Sequence, residues 1–163
     1  MVMDNTGAVW GVTSGGGSAD FGMLFYTTDG HILVLVHSFC TTPTCEDGLQ
    51  PQAPLVQHTD GTLYGTTPNG AAGFGAIFTV SNHRPAFVEA LPTSGKVGAT
   101  VGILGTNLSG ATKVKFGSVS ASFKKVSATF ITATVPTGAI SAFLTVVTPS
   151  KSLRSNQKFL VKP

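Results

Sequence analysis

At 163 residues, with 42% hydrophobic and only 10% charged side chains, the chain can bury a core in each of one or two domains and is too apolar to be disordered. Its net charge of +3 conceals two halves of opposite sign: residues 1–84 carry six acidic residues against Arg84, a net −5, and residues 85–163 carry nine basic residues against Glu89, a net +8. The longest aliphatic run, Ile32–Val36, is far shorter than the roughly 20 residues of a membrane-crossing helix, which excludes such a helix from this sequence.

The first half holds no lysine, yet it has both cysteines, all four histidines, Trp10 and both tyrosines. Halves so different in composition read as two domains, 1–84 and 85–163, with the boundary near Asn82–Pro85. Low charge with abundant glycine and threonine fits a β-rich extracellular surface. Met1-Val2-Met3-Asp4 has neither the basic start nor the apolar stretch of a signal peptide. Because these residues already lie inside a repeating unit, the expectation is a piece of a longer protein whose export signal lies upstream.

Gly7–Gly16 aligns with Gly61–Gly70: Gly7 on Gly61, Val9 on Leu63, Trp10 on Tyr64, Gly11 on Gly65, Thr13 on Thr67. Gly22-Met-Leu-Phe25 then aligns with Gly75-Ala-Ile-Phe78, a period of 53–54 residues, on the scale of solenoids and propellers. Asp60-Gly61 is a hairpin turn, since glycine tolerates the positive φ such turns require. Strands are expected at Leu63–Thr67 and Ala76–Val80, with an apolar strand Ile32–Phe39 between the copies and a short one at Leu55–Gln57. Four short strands per unit suit a propeller blade, here incomplete. One and a half units leave sheet edges open, so this half is expected either to pack on the second domain or to be marginally stable alone.

DGTLYGTT, the following G-x-G-x-I-F-T-V and the HSFC…C-x-DG-x-x-P stretch resemble the GloVer (Gloeobacter/Verrucomicrobia) tandem repeat of bacterial surface proteins over residues 4–80. The first copy departs at Trp10 and in its longer loop Ser14–Gly17. The resemblance implies an exported repeat protein and no chemistry.

From Pro85 the pattern becomes regular alternation. Strands are expected at Phe87–Leu91, Thr100–Gly105, Lys113–Phe116, Val119–Phe123, Phe130–Val135, Phe143–Thr148 and Lys158–Val161, seven in all, as in an immunoglobulin-like sandwich. In Lys113-Val114-Lys115-Phe116 the two-residue period sends Val114 and Phe116 inward and both lysines to water. Gly102 falls mid-strand and reads as a bulge. Leu91-Pro-Thr-Ser-Gly95, Ile103-Leu-Gly105-Thr106-Asn107-Leu108, Val114-Lys-Phe116-Gly117 and Ala133-Thr-Val135-Pro136 resemble the IPT/TIG domain across nearly all of 85–163. That resemblance implies the same immunoglobulin-like fold and, among bacterial relatives, a spacer or adhesive module.

Cys40 and Cys45 bound C-T-T-P-T-C; in an exported protein two cysteines this close most simply form a disulfide. Active dithiols favour two intervening residues, and here there are four. A zinc site from Cys40, Cys45, His37 and His58 is the sharper alternative, with a spacing that matches no standard pattern. His37 alternates with apolar neighbours and reads as a partly buried structural residue; His31 and His83 sit beside turns and read as solvated. There is no G-x-S-x-G elbow. Gly105–Thr112 has phosphate-loop spacing up to Ala111, where lysine would be needed, and reads as a turn. Scattered Asp-Gly pairs do not form a calcium loop.

The sequence therefore supports no catalytic residue, metal or cofactor site. Its lysines are dispersed over alternating positions, which fits a solvated face rather than a nucleic-acid groove. The expected partners are a protein or glycan at the cell surface, with no nucleic acid and no membrane insertion, and the opposite charges suit docking of the +8 half on the −5 half. The function that follows is a non-catalytic interaction or adhesion surface with a spacer. The alternative is an accessory carbohydrate-binding region of a polysaccharide-degrading enzyme, in which Trp10, Tyr26 and Tyr64 would stack on sugar rings. Burial of Trp10 and Tyr64 discriminates between the two.

Overall fold

The computed structural model describes residues 1–28, 32–70, 73–81 and 85–163. His31, His83, the Asp29-Gly30 turn and the Asn82–Arg84 part of the expected boundary lie outside the described residues. The protein is all-β, with no α-helix among the described residues. Two compact units are present, Met1–Arg84 and Pro85–Pro163.

The first unit holds two antiparallel meanders. One runs β1 (Val2–Met3), β2 (Val9–Thr13), β3 (Met23–Thr28), β4 (Ile32–Ser38); the other runs β5 (Val56–Gln57), β6 (Leu63–Thr67), β7 (Ala76–Val80). Both use one register. Val2, Trp10 and Tyr26 stand side by side in the first, as Val56, Tyr64 and Thr79 do in the second. Gly11 lies opposite Phe25 and Gly65 opposite Phe78. A Cβ on either glycine would run into the facing phenylalanine ring, so each glycine is the groove in which that ring lies. The buried residues Ala8, Trp10, Leu24, Phe39, Leu55 and Leu63 form the core, drawn from both sheets.

Strand β4 is apolar in sequence but not buried. It is a sheet edge, with a bulge at Val36 where the register shifts between Leu24 and Phe25, and Ile32, Leu33, Leu35 and Val36 are all exposed.

In the second unit the path β12 (Val119–Ala121), β11 (Lys113–Phe116), β15 (Ala142–Val147), β16 (Ser152–Lys162), β8 (Val88–Leu91), β10 (Thr100–Gly105), β14 (Phe130–Thr134), β13 (Phe123–Lys125) folds into an immunoglobulin-like sandwich, and β9 (Ser94–Lys96) pairs in parallel with β16. Its halves meet where β16 touches β8 at Ser155 and Val88. Alternation puts Val101, Ile103, Ile131 and Ala133 from one half against Val114, Phe116, Leu144, Val146 and Phe159 from the other, and the Phe116 and Phe159 rings meet edge to face at 5.1 Å.

Nine strands stand where alternation suggested seven. The segment expected as one strand, Val119–Phe123, breaks at Ser122: β12 pairs with β11, and β13 pairs with β14. The carbonyl of Ser122 still accepts from Thr134 N–H at 3.0 Å, so the break leaves that group satisfied. Strand β16 is longer than expected because a bulge carries it past Ser155, whose buried hydroxyl accepts from Leu144 N–H and donates to the Gln157 carbonyl. The expected bulge at Gly102 is not there; Gly102 pairs regularly with Leu91 and Thr132. A Cβ at this position would come within 2.8 Å of the Phe130 ring, which would have to shift to admit it.

Candidate functional site

Cys40 and Cys45 are joined in a disulfide just beyond β4. Both sulfurs are thereby used, which removes the zinc alternative built on Cys40, Cys45, His37 and His58. Among the described residues no group of three or more His, Cys, Asp or Glu side chains could hold a metal ion. His58 instead pairs with Asp60, Nδ1 to Oδ1 at 3.0 Å, on the exposed turn before β6. The Thr62 backbone N–H donates to the Asp60 carboxylate at 2.8 Å and, with His58 beside it, holds the Asp60 pKa below its ordinary value.

His37 is exposed rather than partly buried. Its Nε2 lies 2.6 Å from Asp47 Oδ2, while Asp47 also accepts from the Cys40 backbone N–H at 3.1 and 3.2 Å. The pair ties the disulfide loop back to β4. Alternation with apolar neighbours in the strand pointed to partial burial of His37; the bulge at Val36 breaks that alternation. Nothing in the spacing of Asp47 marked it as the partner.

Beside this pair lies a cleft of about 380 Å³, lined by Leu24, Val36, Phe39, Phe78, Thr79, Val80 and Ser81 as well as His37 and Asp47. Its floor is an aromatic pair, Phe39 and Phe78, edge to face with centroids 5.0 Å apart. Although serine, histidine and aspartate share the cleft, no hydrogen bond joins Ser81 to His37 among the described contacts, and Asp47 is engaged by backbone. The arrangement works as a clasp.

The three aromatics expected to contact a ligand have different fates. Trp10 is buried, stacked on Tyr26 at 4.9 Å and 27°, and its Nε1 donates to Asp4 Oδ2 at 2.6 Å. Buried Asp4 also accepts from Thr6 N, Thr6 Oγ1 and Ala8 N, so the indole is locked into a satisfied polar turn. Trp10 therefore cannot offer a face to a sugar, which corrects its reading as a contact residue. Tyr26 is half-buried against it. Tyr64 alone is exposed, with His58 edge to face at 6.3 Å. In the basic unit, Arg154 Cζ sits 3.7 Å above the Phe143 ring, with Lys158 Nζ at 5.9 Å, so that ring's face is occupied by cations of its own unit.

Residues 85–160 match the family model of the IPT/TIG domain, a non-catalytic immunoglobulin-like module typical of surface and interaction proteins. No curated protein and no solved structure matches the chain.

Proposed function

We propose that the chain is a non-catalytic part of an exported bacterial surface protein, in which the glycine-rich unit offers an interaction or adhesion surface and the IPT/TIG module acts as spacer. The observation that carries this reading is the IPT/TIG match over residues 85–160, on a sandwich whose inward side chains fill its interior. The Cys40–Cys45 bridge agrees, since such bonds persist in oxidising compartments. So does the use of His37 and Asp47 to hold a loop. The carbohydrate-binding alternative would now rest on Tyr64 without Trp10.

The test is antibody labelling of intact source cells before and after external protease treatment. Labelling that the protease removes is expected. Labelling that appears only after lysis would overturn the reading.

A further inference from the structure

The two meanders of the first unit are superposable in register but not in environment. The face of the first sheet that carries Trp10 and Leu24 is covered by the second sheet: Trp10 is 1% exposed and Leu24 2%. The corresponding positions of the second sheet, 54 and 53 residues on, are Tyr64 and Ile77, which are 40% and 77% exposed. The converse holds on the opposite face. Leu55, just before the second sheet, is 4% exposed, and its counterpart one period earlier, Met1, is 80% exposed. Each sheet thus has one face covered by the other and one face uncovered, and the uncovered faces are of the two complementary kinds already joined inside the unit.

The uncovered face of the first sheet is strongly apolar. Met3 stands beside Val9, and Phe25 stands beside Leu35, all on the side where Phe25 lies over Gly11. The second sheet buries this same kind of face, with Phe78 over Gly65, against Trp10 and Leu24.

We infer that the Tyr64–Ile77 face of one copy of this chain docks on the Met3–Phe25–Leu35 face of a second copy, repeating between molecules the sheet-on-sheet contact that exists within one. Such an interface is heterologous, so it propagates head to tail into short chains or a closed ring. Its drive is apolar burial, and it brings together two units of net −5, so added salt strengthens it by screening. The inference goes beyond the proposed function and does not depend on export.

Sedimentation velocity of the full chain, over a wide concentration range and at low and high salt, tests it. The weight-average mass is expected to rise with concentration, and more steeply in high salt. I77D blocks one face and L35D the other, with M3K a second variant of that face should L35D disturb Trp10 emission. Each alone weakens association about tenfold or more, the value of burying one large aliphatic side chain. Mixed in equal amounts, I77D and L35D each retain the face the other lacks and form a one-to-one complex that grows no further. A chain that stays monomeric throughout would overturn the inference. So would a mixture that fails to associate, a single variant that associates as well as the parent, which means a two-fold contact of like faces, or an association that salt dissolves, which means the acidic unit docking on the basic one.

Discussion

The two units are nearly equal in length and alike in construction, yet their interiors are not. The sandwich encloses fifteen clustered, buried apolar residues, and the glycine-rich unit encloses six among its described residues. Both have alternating strands; the difference is closure. In the sandwich each half turns its apolar face to the other, and among its large apolar side chains Leu91, Val97, Val126, Ile140 and Leu160 stay exposed. In the glycine-rich unit two small sheets cover one face each, and Met1, Met3, Leu33, Leu35, Val56 and Ile77 remain exposed. A strand pattern alone does not produce a core; the number of faces that find a partner does. Local devices take a larger share of the work where the core is small: a disulfide, the Asp4–Trp10 turn and the His37–Asp47 clasp are all in the first unit.

The difference between the units is tested most directly at Phe116, which is buried against Phe159. Phe116→Ala should cost the sandwich about 3–5 kcal/mol, the usual result of emptying a packed aromatic site. Tryptophan emission makes the assignment clean, because Trp10 reports the first unit alone. Urea unfolding followed by far-ultraviolet dichroism should lose the sandwich early, while the Trp10 transition stays where it was. Movement of both transitions together would mean that the units unfold as one body.

The disulfide sharpens the contrast from the other side. Cys40→Ala with Cys45→Ala opens a loop whose closure is worth about 2 kcal/mol. With a small core to fall back on, the first unit should show it as an earlier Trp10 emission transition, and the sandwich should be unchanged. An unshifted Trp10 transition would place the stability of this unit elsewhere than in its loop.

The smallest effect expected is at Asp60. Its pKa is held down in the fold, chiefly by the Thr62 N–H, so its contribution is complete above the ordinary carboxylate range and is lost as pH falls through the lowered value. The group is on an exposed turn, which limits the contribution to about 0.5 kcal/mol or less. Below about pH 4 the Trp10 transition should therefore move less in Asp60→Asn than in the parent protein. Equal movement would show that other carboxylates carry the acid response.

Much of this was legible in the amino-acid sequence because it is local. The two-residue period of Lys113–Phe116 dictates which side chains go inward, and it does so in the sandwich. Leu63–Thr67 and Ala76–Val80 are strands from their composition and flanking turns, and the separation of Cys40 and Cys45 is short enough for the bridge they form. The register shared by the two meanders follows from the spacing of glycine and aromatic residues, since a ring can lie only over a position without a side chain.

What only the tertiary structure decided is which face each pattern meets. Trp10 and Tyr64 occupy equivalent positions, and sequence treats them alike; one is buried because a second sheet covers it, the other is exposed because nothing described does. The break at Ser122, the bulge at Ser155 and the pairing of His37 with Asp47 likewise depend on contacts between distant segments. Alternation records that a strand has two sides. Burial is a property of what lies across from each side, and that is settled only when the sheets pack.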